Sequence, residues 1–149
     1  MHIEVTVSDQ TLRLKEGETV VKSYAISTSK FGIGTTEGSN CTPLGGFSIA
    51  ERIGDGAPSG TIFRGRQPVG LWDSSQVVED DLVLTRILWL EGTDPENANT
   101  KSRYIYIHGT NQEDLLGTPA SHGCIRMSNL DVIDLFERVE TGTRMHIAL

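Results

Sequence analysis

A cysteine and two histidines near the C-terminal end could together carry covalent chemistry on an acyl group. His122 lies two residues before Cys124, and His108 lies 16 residues before it. A cysteine thiol becomes a strong nucleophile when an imidazole within hydrogen-bond distance takes its proton. The residues alone therefore predict a cysteine–histidine pair, in which either His108 or His122 could be the base.

The residues around the cysteine suggest how such a site would be activated. Gly123 has no side chain, so a substrate carbonyl could approach the backbone closely. The backbone N–H groups of Gly123 and Cys124 could then stabilise an oxyanion. Cys124 also lies just before a predicted helix, and the positive end of a helix dipole favours the thiolate.

A zinc site is the alternative use of the same side chains. His108, His122 and Cys124 could bind zinc together with a fourth ligand, because His and Cys are common zinc ligands. The sequence contains neither a CxxC nor an HExxH motif. The nucleophile hypothesis is therefore favoured, and no metal or other cofactor is expected.

A strand is predicted to present His108. Ile105 and Ile107 alternate with Tyr104, Tyr106 and His108, and alternate residues of a strand face opposite sides. This segment, 103–108, is expected to pair with a strand over 82–90. The polar residues 91–101 between them are interpreted as an exposed connection.

One helix is predicted after the cysteine. Ser128, followed three residues later by Asp131, nearly matches a capping box, and Gly142 is typical of a helix end. The apolar residues predicted to recur on its buried face are Leu130, Ile133, Phe136 and Val139.

The remaining sequence is typical of a mainly β protein. Ile3, Val5 and Val7 alternate with polar residues, as in a half-buried strand, and begin a predicted antiparallel meander. Residues 27–47 are rich in Ser, Thr and Gly and are interpreted as a long functional loop. Residues 1–149 are expected to form a single domain.

The net charge and the composition limit the classes of partner that the protein is expected to bind. The chain has 149 residues, with 20 acidic and 13 basic side chains and a formal charge of −7, a balance that argues against a nucleic-acid partner. No apolar run reaches the roughly 20 residues of a membrane span.

No signal peptide precedes the first strand, so a cytoplasmic protein is expected if Met1 is the native start, and a cell-envelope protein if the chain is trimmed. Cys41 and Cys124 are expected to be free thiols, and the protein a monomer.

The segment Ser121–Arg126, with His108 and Gly109 upstream, resembles the signature of the L,D-transpeptidase family, whose catalytic domain is of the YkuD type. Thr42–Phe47 resembles a Thr-Pro-x-Gly-x-Phe segment of the same family. The resemblance covers essentially the whole chain. It implies a mainly β, sandwich-like domain with its main helix after the cysteine.

The resemblance also implies roles for the motif residues. Cys124 would be the nucleophile and His108 its base, oriented by the backbone carbonyl of Gly109. The other motif residues would shape the site and supply the oxyanion hole, namely Ser121, His122 and Gly123.

The implied substrate is a peptidoglycan stem tetrapeptide or muropeptide. The thiolate would attack the carbonyl of the third residue, a diamino acid such as diaminopimelate, and expel the terminal D-Ala. Carbapenems would acylate the same cysteine. Arginine suits carboxylates, so Arg86, Arg103 and Arg126 are candidate substrate anchors, although Arg126 could instead brace the loop. Tyr106 is a candidate wall of the cleft.

Three fates of the substrate follow from these expectations. A cytoplasmic protein would release D-Ala by hydrolysis, as an L,D-carboxypeptidase in peptidoglycan recycling. A cell-envelope protein would pass the acyl group to an amine, forming 3–3 cross-links or exchanging D-amino acids. An inactive module would only bind stem peptides. Asp80 and Asp81 are interpreted as a solvated turn.

Overall fold

The computed structural model describes residues 1–75 and 78–149. Ten strands and one α-helix lie in that part of the chain, together with short 3₁₀ helices at Pro95–Asn97 and Glu113–Leu115. In chain order the elements are β1 His2–Thr6, β2 Thr11–Glu16, β3 Thr19–Ala25, β4 Gly45–Ile53, β5 Thr61–Arg64, β6 Gln67–Leu71, β7 Val83–Gly92, β8 Tyr106–Gly109, β9 Ile125–Met127, α1 Asn129–Arg138 and β10 Arg144–Ala148.

The strands form one mixed sheet that branches at β7. Its main path runs β3-β2-β1-β10-β4-β7-β5-β6, while β8 pairs with both β7 and β9. The predicted meander is confirmed, since β1, β2 and β3 pair antiparallel. The predicted pairing of the two later strands is also confirmed, as antiparallel β7 and β8. Among the strands of the described ranges, β1 pairs parallel with β10 and β8 pairs parallel with β9.

One main core joins both branches of the sheet to the helix. Ile3 and Leu12 of the meander, Ile107 of β8 and Ile125 of β9 all belong to it, as does Leu135 of α1. Burying these side chains from water is the main stabilising contribution. The expected mainly β fold with one main helix after the cysteine is confirmed.

The helix is capped as predicted, and of the four apolar residues predicted to be buried, Phe136 and Val139 are buried. The Asp131 N–H donates to Ser128 Oγ at 3.0 Å. Leu130, however, is 78% exposed. The buried apolar residues are Val132, Leu135 and Phe136 of the helix, with Val139 at its C-cap. This set has the spacing i, i+3, i+4, i+7, and packing against β7 and β8 selects it over the alternative that the sequence also allows.

The connection between β7 and β8 was predicted to be exposed, but the structure buries part of it. Asn97 is fully buried, and its amide nitrogen donates to the carbonyls of Leu44 at 3.2 Å and Gly46 at 2.9 Å. Asp94 accepts from the Gly46 N–H at 2.8 Å. Gly45 has φ +109, a conformation that favours glycine. These contacts hold the end of the 27–47 loop in place.

The 27–47 loop itself lies against the cysteine segment. Ser27 pairs with Arg126, and Ser29 pairs with Ser121, each through an isolated β-bridge of the backbone. The loop therefore supports the turn that carries Cys124. Among the described residues, no helix has both the length and the apolar character needed to cross a membrane.

Candidate active site

Parallel pairing of β8 and β9 brings the predicted residues together. Ile107 lies opposite Ile125, and His108 lies opposite Arg126. Because side chains alternate along a strand, the isoleucines enter the main core while His108 faces the other side, with Cys124 just before β9. The predicted alternation holds from Ile105 onward. Tyr104 differs, because it precedes β8, has φ +57 and is 54% exposed.

Cys124 and His108 open into one pocket of about 320 Å³. Its lining residues are Asp81, Val83, His108, His122 and Cys124. The Tyr106 N–H donates to the Cys124 sulfur at 3.3 Å, and the thiol donates to the Tyr104 carbonyl at 3.4 Å. The nucleophile candidate is thus held by the backbone N–H of the first residue of β8 and by a carbonyl two residues before it.

The cysteine is a neutral thiol at neutral pH. Burial raises the pKa of Cys124 to about 12, against a smaller opposing effect of the Tyr106 N–H. The predicted help from the helix dipole is wrong, because strand β9 separates Cys124 from the first residue of α1 and the dipole acts only near the helix end. Its proton must therefore leave during the reaction, which requires a base.

His108 has the protonation state that a base needs. Its side chain is only 2% exposed, and burial lowers the pKa of this imidazole. Nδ1 lies 2.5 Å from the Gly109 carbonyl, which can only accept, so Nδ1 carries the hydrogen and Nε2 has a free lone pair. The contact implied for Gly109 is therefore present, and a neutral His108 can accept a proton at Nε2.

Gly109 must be a glycine at this position. A Cβ there would lie 2.8 Å from the carbonyl oxygen of Leu84 and would also collide with Asn129. The absent side chain lets β8 approach both β7 and the start of α1 at the residue that orients His108.

The turn before Cys124 is fixed by short hydrogen bonds. Ser121 Oγ donates to the Cys124 carbonyl at 2.6 Å and accepts from the Gly123 N–H at 3.3 Å. Thr42 Oγ1 donates to the Gly123 carbonyl at 3.0 Å, which gives the Thr42–Phe47 segment a structural role. Gly123 has φ +117, a conformation that favours glycine. One of the two amides expected in an oxyanion hole, that of Gly123, already has a partner.

Asp81 belongs to the site, so its interpretation as part of a solvated turn is wrong. Its carboxylate lies 3.2 Å from Nδ1 of His122 and 3.1 Å from Nη1 of Arg126, and the side chain is only 16% exposed. Its negative charge adds to the raised pKa of Cys124 and partly offsets the lowering of the pKa of His108 by burial. Sequence reasoning missed Asp81 because its partners are 41 and 45 residues away, whereas its neighbour Asp80 is exposed.

Two of the predicted carboxylate anchors are structural. Arg126 is fully buried, and besides Asp81 its Nη1 donates to Gln112 at 2.6 Å, so it braces the loop rather than facing substrate. Arg86 is 6% exposed and donates to the carbonyls of Ala57 and Thr85 at 2.8 and 2.7 Å. Both guanidinium groups are thus buried and already have protein partners, and the contacts of Arg126 are those of the loop-bracing role that the sequence also allowed.

Arg103 and Tyr106 do lie near the thiol. Arg103 donates to the carbonyls of Gly34 and Cys41 at 3.3 and 2.8 Å. It also lines a second pocket of about 280 Å³, and His122 lines both pockets. Tyr106 packs in the same apolar cluster as Cys124.

Both cysteines are free, as expected. The Cys41 thiol donates to the Phe31 carbonyl at 3.5 Å. Within residues 1–75 and 78–149, no three His, Cys, Asp or Glu side chains are grouped so that they could hold a metal ion.

The comparison with protein families agrees with this geometry. The YkuD model, which describes the L,D-transpeptidase catalytic domain, matches residues 1–147. The chain belongs to this family. It is 32% identical over 145 residues to the YkuD protein of Bacillus licheniformis, covering 97% of this chain and 64% of that relative. The chain thus spans less than two thirds of that relative's length.

Solved structures of L,D-transpeptidases share the YkuD fold. The enzyme from Xylanimonas cellulosilytica superposes with a TM-score of 0.63 at 21% identity, covering 98% of this chain and 59% of that one. The LD transpeptidase LdtMt1, solved in complex with imipenem, gives a TM-score of 0.62 at 17% identity, covering 98% and 57%.

Replacing Asp81 with asparagine is expected to lower the free energy of unfolding by about 1–3 kcal/mol. The reason is that the fully buried Arg126 loses its charged partner. Urea unfolding measures the change, and Asp80→Asn is the matched control because Asp80 is exposed. Equal effects of the two variants would contradict the role assigned to Asp81.

Proposed function

We propose that this domain transfers the acyl group of a peptidoglycan stem tetrapeptide through a thioester on Cys124. The observation that carries the proposal is that a neutral thiol and a neutral imidazole, His108, open into the same pocket. Membership of the L,D-transpeptidase family supports the choice of substrate.

The first half of the reaction forms the thioester. The thiol proton of Cys124 passes to Nε2 of His108 as the sulfur attacks the carbonyl carbon of the third residue. The tetrahedral intermediate collapses when His108 returns that proton to the amine of the leaving D-Ala. This sequence needs no preformed thiolate, which suits the raised pKa of Cys124, and a neutral histidine is an efficient general base near pH 7.

The second half releases the enzyme. An acceptor amine attacks the thioester carbonyl, loses a proton to His108 and forms a new amide, while the sulfur regains a proton. Water in place of the amine gives a tripeptide and makes the enzyme an L,D-carboxypeptidase. Membership of the L,D-transpeptidase family supports an amine as the acceptor. We therefore propose transpeptidation as the main reaction and hydrolysis as the competing one.

Mass spectrometry of the products tests both the chemistry and the acceptor. The protein is incubated with disaccharide-tetrapeptide, with and without D-methionine. We expect loss of D-Ala and a D-methionine exchange product. Tripeptide alone would assign hydrolysis instead. No product from the wild-type protein would contradict the proposed substrate.

The two cysteines provide a matched pair of variants for the same assay. Cys124→Ala is expected to abolish product formation, because it removes the attacking atom. Cys41→Ala is expected to keep activity, because the Cys41 thiol forms hydrogen bonds only with the Phe31 and Ser39 carbonyls among the described residues. Intact-protein mass spectrometry with imipenem should likewise show an adduct on the wild type and on Cys41→Ala only. Activity that survives Cys124→Ala would exclude the thioester.

A further inference from the structure

We infer that Arg66, whose guanidinium group contacts the two tyrosines that hold Cys124, binds a carboxylate of the substrate peptide. This inference rests on the proposed function and identifies a residue that would determine its specificity. It assigns to Arg66 the role that the sequence suggested for Arg86 and Arg126, whose guanidinium groups are buried.

Arg66 occupies an unusual backbone position. It lies with Gly65 in the two-residue turn between β5 and β6, where Arg64 pairs with Gln67. Both turn residues have positive φ, +55 for Gly65 and +65 for Arg66. Asparagine and glycine are the residues preferred in such turns, and a left-handed conformation is unfavourable for other residues. An arginine here bears a backbone cost that its side chain must offset.

Three aromatic residues hold the guanidinium group in place. Its central carbon lies 4.7 Å from the ring centre of Trp89 and 5.2 Å from that of Tyr104. Nη1 donates to the Tyr106 hydroxyl at 3.2 Å. Cation–π contacts of this kind stabilise and orient an arginine. The side chain is therefore ordered before any ligand binds, which reduces the entropic cost of binding.

The same tyrosines connect Arg66 to the nucleophile. Tyr106 donates its backbone N–H to the Cys124 sulfur and accepts from Arg66 through its hydroxyl. Tyr104 accepts from the thiol through its carbonyl and faces Arg66 with its ring. Each tyrosine therefore contacts the nucleophile with its backbone and Arg66 with its side chain, so a single residue separates the guanidinium group from the sulfur.

Arg66 keeps a positive charge available for a ligand. Glu51 interacts electrostatically with Arg66, but its carboxylate forms an ion pair with Lys101 at 3.1 Å. In the described ranges Arg66 makes no ion pair, and only its Nη1 has a hydrogen-bond partner. Nε and Nη2 remain to donate, and guanidinium groups bind carboxylates through such paired N–H groups.

The ligand class is a carboxylate on the donor peptide. A tetrapeptide that contains diaminopimelate has two, one on the side chain of its third residue and one at its C-terminus. Amidated peptides distinguish these sources, since an amide has the same shape but no negative charge. Three donors are compared: the free peptide, the peptide amidated on the third residue and the peptide amidated at the C-terminus.

The experiment measures kcat/KM of the wild type, Arg66→Gln and Arg64→Gln with each donor. For the wild type we expect one of the two amides to react about 10- to 100-fold more slowly than the free peptide, as the loss of a charged hydrogen bond predicts. Arg66→Gln should lose the same factor on the free peptide and discriminate no longer. Arg64→Gln is the matched control, because Arg64 is exposed on the same hairpin, and it should behave as wild type.

Two results would overturn the inference. One is a wild type that treats all three donors alike. The other is an Arg66→Gln variant that slows all three donors by one common factor, which would show a structural role. A thermal unfolding scan of each variant checks that the hairpin change leaves the fold intact.

A binding measurement separates this inference from the proposed function. Calorimetry with Cys124→Ala protein measures tetrapeptide affinity without turnover, and adding Arg66→Gln should weaken it by the same factor. If wild-type protein gives no product, the proposed function fails. If it gives product but Arg66→Gln binds the free peptide as tightly as its parent does, only the inference about Arg66 fails.

Discussion

Replacing His108 with asparagine is expected to lower kcat/KM for acyl transfer by about 10²- to 10⁴-fold. An asparagine amide can still donate to the Gly109 carbonyl, but it cannot take the thiol proton. Because burial keeps the Cys124 thiol protonated, with a pKa of about 12, very little thiolate is available without a base. His146→Asn is the matched control, since His146 is exposed on β10, and it should retain full activity.

The pH profile of the wild type supplies an independent check on the same residue. Burial lowers the pKa of His108 below its ordinary value of 6.5, so the imidazole stays neutral at a lower pH than an exposed histidine would. We therefore expect kcat/KM to rise with pH through a midpoint below 6.5 and then to level off. The His108→Asn variant should lack that step. A midpoint near the ordinary thiol value of about 8.5 would mean that thiolate formation, rather than His108, controls the rate.

The depressed pKa also affects folding in acid. Between the folded and unfolded pKa values of His108, the unfolded chain binds the proton more tightly, so stability falls as pH falls. This contribution to stability is complete above about pH 6.5 and is lost progressively below it. Rates in the acid range should therefore be compared with the fraction of folded protein, measured by circular dichroism at each pH.

Local sequence patterns predicted the elements that carry the chemistry. The alternation of Ile3, Val5 and Val7 depends only on neighbouring residues, and so does the Ser128 cap; both are present in the structure. The sequence suggested that Cys124 pairs with a histidine base, but the residues alone did not decide between His108 and His122. The parallel register of β8 and β9 is what places His108 at the same pocket as the thiol, and no local pattern encodes it.

Features that depend on distant contacts could not be read from the sequence. Apolar residues lie on two overlapping faces of α1, and the packing partners, rather than the periodicity, decide that Leu130 is exposed. Asp81 follows an exposed acid and looks solvated until the fold brings it to Arg126, 45 residues later. Burial of Cys124 raises the pKa of its thiol, and the expected helix dipole does not oppose this because strand β9 separates the sulfur from the start of α1.

Replacing Arg126 with methionine is expected to lower the free energy of unfolding by about 3–5 kcal/mol. Methionine fills a similar space, so the loss comes mainly from charge. The Asp81 carboxylate, only 16% exposed, would be left without its buried cation and would have to remain desolvated or draw in water. Urea unfolding with a two-state fit measures the change.

The chain contains a control with the same distance and different burial. Arg138 contacts Asp134 at 3.1 Å, as Arg126 contacts Asp81, but both side chains of that pair are more than a third exposed. An exposed pair contributes less than about 1 kcal/mol, so Arg138→Met should cost little. Losses of similar size for the two arginines would contradict the argument from burial.

A double mutant separates the ion pair from simple loss of packing. In Asp81→Asn with Arg126→Met neither charge remains, so the combined loss should be smaller than the sum of the two single losses. Additive losses would mean that Arg126 stabilises the loop through Gln112 and Ser27 rather than through Asp81. Asp81 also contacts His122, which lines both pockets. A coupled pair would therefore mean that the ion pair that stabilises this loop also holds in place the carboxylate that contacts His122.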